Sequence, residues 1–170
     1  MNTSAAAARI QTPDDLCTPT VVLEALRPLG PIHLDPCSNP WSIVPALHKL
    51  DGSSPEQDGL GVSWRELAGD GLVYVNAPYG RGHTVPWAEK VARETRAGCE
   101  IVDLVKGDHS TEWWRMLREH ARAIAYWRGR IGFLGGSHGS GNFASSLLYF
   151  GQRPHLFAHA LEAYADVRVL

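Results

Sequence analysis

Short β-branched and aromatic runs alternate with helical segments along most of this chain, and that alternation restricts the fold more than any other feature. IHLD (32–35), LVYV (72–75) and CEIVDLVKG (99–107) read as strands ending in turn residues. TPTVVLEALRPL (18–29), TVPWAEKVARETRAG (84–98) and STEWWRMLREHARA (110–123) read as helices. Thr18 and Thr84 are candidate N-caps, Pro19 and Pro86 suit helix starts, and Gly30-Pro31 and Gly98 mark the stops. Strand, helix, strand, helix predicts an α/β fold, a mostly parallel sheet with helices on both faces. ARAIAYWRGRIGFL (121–134) and ASSLLYFG (144–151), joined by the glycine-rich GGSHGSG, predict an antiparallel C-terminal hairpin. Residues 38–70 are punctuated by Pro, Gly and Ser and read as loop-rich; 153–170 read as a short helix and a last strand, VRVL.

The 170 residues, 44% hydrophobic and 20% charged, suffice for one domain with a real core, placed at 15–170 behind a frayed 1–14. The net charge of −2 supplies no global field for nucleic acid, but the charge is uneven. Residues 81–130 hold ten Lys/Arg against seven Asp/Glu, and residues 1–80 hold four against nine, so a nucleic-acid surface belongs to the later half, unless those basic residues are only solvated helix faces. Cys17, Cys37 and Cys99 are odd in number and widely spaced, which suggests neither a disulfide framework nor a metal site. MNTSAAAARI is too weak for a signal peptide and no stretch approaches a membrane span, so an intracellular protein is expected.

In a parallel sheet, ligands bind at the carboxyl ends of the strands. Those ends carry Asp35-Pro36, then Asn76-Ala77-Pro78-Tyr79, then Lys106-Gly107-Asp108. Asp35 is placed to bind the ribose or amino group of a nucleoside cofactor, although Asp before Pro also opens ordinary turns. No G-x-G-x-x-G follows Asp35 and no phosphate loop of the G-x-x-x-x-G-K-[ST] type occurs, which disfavours a pyrophosphate or triphosphate ligand. A sulfonium nucleoside needs neither. Asp58-Gly59-Leu60 is a second candidate cofactor contact, with a plain turn as the alternative. In Asn76–Tyr79, an amide oxygen and the next backbone carbonyl can accept the two N–H bonds of an exocyclic amine, while the tyrosine ring stacks on its base. A base in a duplex reaches such a site only by flipping out, and stacking contributes about 1–3 kcal/mol.

The order TP-helix, LDP strand end, DGL, N-x-P-Y, W…K helix, TEWW helix, RGRIGF resembles the phage-type DNA N6-adenine methyltransferases over roughly residues 18 to 150. NAPY stands where that family has Asn-Pro-Pro-Tyr; GDHSTEWW, WRGRIGF and NFASSLLYF resemble its later blocks. The resemblance implies a Rossmann-like methyltransferase sheet, S-adenosyl-L-methionine as cofactor and double-stranded DNA as partner, with no metal. It implies that Thr18 and Pro19 line the methionine end of the cofactor, that Asp35, Pro36, Asp58 and Leu60 contact it, and that Asn76, Ala77, Pro78 and Tyr79 are catalytic. The glycine-rich turn of the general methyltransferase first motif is absent after Asp35. Arg81, Lys106, Arg128 and Arg130 are candidate DNA contacts, the last two on one face of a strand. A salt-bridged sheet face is the alternative for that pair. Arg81-Gly82 reads as a hinge over the flipped base. Trp87 with Val91 and Trp113 with Leu117 are expected in the core; Trp114 is expected partly exposed and His109 to be a loop residue. The loops 38–57 and 135–142 are expected to read DNA. Cytosine N4, a protein glutamine amide, or a catalytically weak nucleic-acid-binding relative remain alternatives to adenine N6.

Overall fold

A computed structural model describes residues 16–80, 82–135 and 143–170. The expected frayed N-terminus, Arg81 and nearly all of the 135–142 loop lie outside the described residues. Among the described residues seven strands form one sheet: β1 (Ile32–Asp35), β2 (His48–Lys49), β3 (Leu72–Val75), β4 (Glu100–Lys106), β5 (Ala123–Trp127), β6 (Ser145–Phe150) and β7 (Ala165–Val169). Their order is β2-β1-β3-β4-β6-β5-β7. β2, β1, β3 and β4 run parallel; β6 is antiparallel to both β4 and β5, and β7 is antiparallel to β5. The expected hairpin is therefore present with its second strand inserted beside β4.

Among the described residues five α-helices cover the sheet: α1 (Thr20–Leu26), α2 (Trp64–Ala68), α3 (Thr84–Arg96), α4 (Glu112–His120) and α5 (Pro154–Leu161). Val22, Leu26, Phe157 and Leu161 of α1 and α5 pack with Tyr74, Leu104 and Tyr149 on one face. Trp64, Val91, Trp113 and Leu117 of α2, α3 and α4 pack with Val73, Ile101 and Leu148 on the other. All six residues of β6 are buried, as a strand covered on both faces requires.

Several local expectations are corrected. Thr18 caps no helix: Pro19 holds the N-cap position of α1, and the Thr18 hydroxyl turns inward to share a 2.8 Å hydrogen bond with Tyr74. Thr84 is the first residue of α3 rather than its cap. The 38–70 stretch holds β2 and α2. Trp114 is 4% exposed, packed under His109 with ring centroids 4.5 Å apart, whereas Trp87 is only half-buried. β5 ends at Trp127, so Arg128 and Arg130 do not share a strand face. Gly129, at φ 75°, turns the chain out of the sheet, and Ile131 and Phe133 bury themselves near α1 while Leu134 pairs with Cys17.

In a regular strand Ile32 and Leu34 would share one face, yet Ile32 packs with α1 and Leu34 with α2. A register shift between Ile32 and Leu34 against β3 inserts His33, and one extra residue exchanges the faces of the residues beyond it. Gly71 makes room for it: a Cβ there would lie 2.0 Å from the His33 ring.

Candidate active site

The chain leaves β1 for β2 on one side and returns to β3 on the other, so the sheet's switch point lies between β1 and β3. There the loops after the strands diverge and open a crevice. A groove of about 160 Å³ occupies it, with Pro36, Ser38, Asp51, Asp58, Asn76 and Trp87 among its walls. A larger depression of about 630 Å³ lies at the opposite edge, around the start of β4, where the Arg153–Glu100 and Arg65–Asp70 pairs already satisfy much of its charge. The carboxyl ends of the parallel strands face the smaller groove.

Asp35 closes β1 beneath the groove and is 3% exposed. Its carboxylate accepts from the Cys37 amide and the Ser42 hydroxyl, both at 3.3 Å. Burial pushes its pKa above the usual carboxylate range; the Cys37 amide, the nearby Ser38 and Ser42 hydroxyls and Lys49 pull it back. Ser38 Oγ stays outside hydrogen-bonding geometry with Asp35 and is buried without a partner among the described residues.

The Asp58-Gly59-Leu60 turn packs directly against the Asp35-Pro36 turn. A Cβ on Gly59 would lie 1.8 Å from the Pro36 carbonyl oxygen and 2.9 Å from the Trp87 ring, so only glycine fits. Asp58 accepts the Leu60 amide at 3.0 Å, and the Trp64 indole donates to the Gly59 carbonyl at 2.8 Å. Leu60 turns its carbonyl to Arg93, and Pro19 is buried at the start of α1. Neither is among the groove walls.

Asn76 follows β3 at the groove rim. Its Nδ2 donates to the Leu16 carbonyl at 2.8 Å and to Thr18 Oγ1 at 3.2 Å, and its backbone amide donates to Cys37 Sγ at 3.4 Å. Those donors fix the amide, leaving Oδ1 toward Tyr79. The Tyr79 hydroxyl faces two acceptors, Asn76 Oδ1 at 2.9 Å and the Leu104 carbonyl at 3.0 Å. Its ring meets Phe143 and Phe133 edge-on, at 5.3 and 6.4 Å, with the Lys106 ammonium 5.1 Å from its centroid.

Sequence and structure therefore bring Asp35, Pro36, Asp58, Asn76, Pro78, Tyr79 and Lys106 to one edge. Arg128 is held elsewhere: its guanidinium pairs with Asp166 at 3.0 Å and donates to carbonyls of 162, 163 and 165. Arg130 is exposed beyond the end of β5.

The chain matches the family profile described as DNA N-6-adenine-methyltransferase (Dam) over residues 8–159. It belongs to the Dam family. Comparison with curated proteins gives no significant match. Membership in the Dam family makes the chain a DNA N6-adenine methyltransferase, and the mixed α/β sheet agrees with it. The Dam match spans the groove, the tetrapeptide and the aromatic cluster. No helix among the described residues is long and apolar enough to cross a membrane.

The sequence pattern does not single out Ser38 or Asp51, and it places Trp87 in the core. Asp51 follows a two-residue strand too short for any periodic signal. Its one clue is position: a carboxylate just past an apolar residue, Leu50, whose amide continues the β1 ladder onto the Asp35 carbonyl.

Proposed function

We propose that the enzyme moves a methyl group from S-adenosyl-L-methionine to the N6 amine of an adenine flipped out of double-stranded DNA, and that Asn76–Tyr79 hold that amine. The observation that carries this reading is the Asn76 amide. Both of its N–H bonds are spent on Leu16 and Thr18, so only its oxygen can address a substrate, and what it meets now is a hydroxyl donor. An adenine N6–H bond is a donor of the same kind. The base displaces the Tyr79 hydroxyl, the Ala77 carbonyl takes the second N–H bond, and the Tyr79 ring stacks on the purine. With both N–H bonds directed at acceptors, the nitrogen lone pair is turned toward the groove, and alignment supplies most of the rate.

The groove's residues fit the cofactor. Asp51 and Asp58 offer carboxylates for ribose or amino groups, the buried Ser38 hydroxyl lacks a partner among the described residues, and the Gly59–Pro36 contact builds the groove's floor. When bound there, the cofactor supplies an electrophilic methyl group. In this reading Pro36, Ser38, Asp51 and Asp58 hold it, Asp35 shapes the 36–42 loop, and Thr18, Pro19 and Leu60 support the walls. Lys106 binds DNA phosphate beside the flipped base.

Incubation with labelled S-adenosylmethionine and unmethylated DNA, followed by nucleoside analysis, tests the reading. N6-methyladenine is expected from the native protein, and a yield lower by about 100-fold or more from Asn76→Ala. Full activity in Asn76→Ala, or label in N4-methylcytosine, overturns it.

A further inference from the structure

Asp103 is an interior carboxyl without a role in the chemistry above. It lies in the middle of β4, in register with Val75, the residue before Asn76. Its strand neighbours Ile101 and Val105 belong to the apolar layer under α3 and α4, so Asp103 interrupts that layer with a carboxyl. It is 3% exposed, and its Oδ1 is buried with no hydrogen-bond partner among the described residues. The other interior carboxyls are provided for: Asp35 has Cys37 and Ser42, and Glu94 has Lys90 and the Trp64 amide. A buried acid without partners keeps its proton, and burial pushes Asp103 up to about 8.

Its placement gives that proton a purpose. Asp103 borders a void of about 20 Å³ whose other walls include Ala77, Pro78 and Tyr79 of the tetrapeptide. Pro78 and Trp87 wall both this void and the cofactor groove. One layer of apolar side chains therefore separates the carboxyl from the groove, and across such a layer charges are poorly screened. Among the described residues, no fixed cation lines the void. Thr84, Trp87 and Ala88 of α3 and Trp113 and Leu117 of α4 carry no charge, and β6 presents Leu148 in register. Cys37, Tyr74 and Tyr79 feel Asp103, and burial raises all three, keeping them neutral. Asp35 is the other carboxyl acting on Cys37 and Tyr74. Lys106 ends β4 against the Tyr79 and Phe143 rings.

We propose that Asp103 is the buried counter-charge to the methyl donor's sulfonium, a neutral acid in the free enzyme that gives up its proton when the cationic cofactor enters the groove. The inference rests on the cofactor reading given above. Binding releases up to one proton to buffer and leaves a carboxylate facing a cation through the Pro78–Trp87 wall. On methyl transfer the C–S bond breaks with its electron pair on sulfur, the N–C bond forms, and the nitrogen sheds a proton. The positive charge then leaves the groove, and Asp103 takes a proton back.

Titration calorimetry of the full chain at about pH 7, in two buffers of different ionisation enthalpy, counts the protons. S-adenosylmethionine is expected to release about half a proton or more, and S-adenosylhomocysteine, which lacks the sulfonium charge, close to none. Asp103→Asn should bind S-adenosylhomocysteine like the native protein, bind S-adenosylmethionine several-fold more weakly, and release no proton with either. Equal proton counts for the two ligands overturn the counter-charge while leaving the groove assignment standing. Release that persists in Asp103→Asn assigns the proton to Asp35 or Cys37 and also overturns it. Failure of both ligands to bind the native protein overturns the cofactor reading itself, and this inference with it.

Discussion

Ala77 leaves the tetrapeptide one proline short of the Asn-Pro-Pro-Tyr it resembles, but the proposed chemistry asks residue 77 only for a carbonyl. Pro78 still biases the preceding residue toward extended backbone, which presets that carbonyl's direction. Ala77→Pro is expected to keep or raise methyl transfer, measured as N6-methyladenine formed per enzyme; abolition in a folded variant would show that the carbonyl is aimed otherwise. Tyr79 divides into a ring and a hydroxyl. Tyr79→Phe keeps the ring against Phe133 and Phe143 and removes the donor that holds Asn76 Oδ1. Its activity should stay within several-fold of native, whereas Asn76→Ala should lose about 100-fold or more. Asp103 makes a separate prediction about stability. Its folded pKa, about 8, lies above the ordinary value of 3.8, so between those pH values the native state holds a proton that the unfolded chain has lost. Stability from this group is full below about pH 4 and drains away as pH rises toward about 8. The melting temperature of the native protein should therefore fall more between about pH 5 and about pH 8.5 than that of Asp103→Asn. Parallel curves would mean that the carboxyl is solvated.

Within single elements, legibility in the sequence follows length. β3 and β4 are readable because four to seven consecutive residues, nearly all buried, leave an unmistakable run, and α3 because its start and stop are written in Pro86 and Gly98. β2 has two residues and leaves no pattern. The β1 bulge is hidden because His33 fits an alternating strand as well as a bulge; what decides is Gly71, a neighbour in space alone. WRGRIGFL reads as all strand because Ile131 and Phe133 keep the alternation after leaving the sheet. A buried ion pair is equally invisible. Lys90 and Glu94, 2% and 6% exposed, sit one turn apart in α3, where the pattern suggests an ordinary surface pair. Instead Lys90 donates to Glu94 and to the Val62 carbonyl and lies 5.2 Å from the Trp64 ring centroid, while Glu94 accepts the Trp64 amide. The pair thus anchors the segment that carries Gly59 and the groove floor. Removing one partner strands the other charge, so Lys90→Ala is expected to cost about 3–5 kcal/mol in urea unfolding. Lys90→Met with Glu94→Leu should recover part of that loss, because the double change leaves no buried charge.

Across the whole molecule, the strand ends that look important in the sequence do converge, because parallel strands aim their carboxyl ends at one edge. Asp35, Asn76 and Lys106 lie there, at the ends of β1, β3 and β4. The positive residues are harder to place from sequence, since their neighbours come from distant elements: Arg128 is consumed by the α5–β7 turn, a contact 38 residues away in the chain. Lys106 is different. Among the described residues it makes no ion pair, and its ammonium rests on the rings of Tyr79 and Phe143, at 5.1 and 4.7 Å from their centroids. With a net charge of −2 the protein gains no attraction to DNA from its global field, so binding must depend on local cations of this kind. Each phosphate contact releases counterions and steepens the fall of log K with log salt concentration by about 0.9. Lys106→Ala should weaken binding to duplexes of any sequence and reduce that slope by about one. Because the ammonium also braces the Tyr79 ring, the variant should lose methyl transfer at saturating DNA as well. A variant with unchanged salt slope and unchanged turnover would remove Lys106 from the interface.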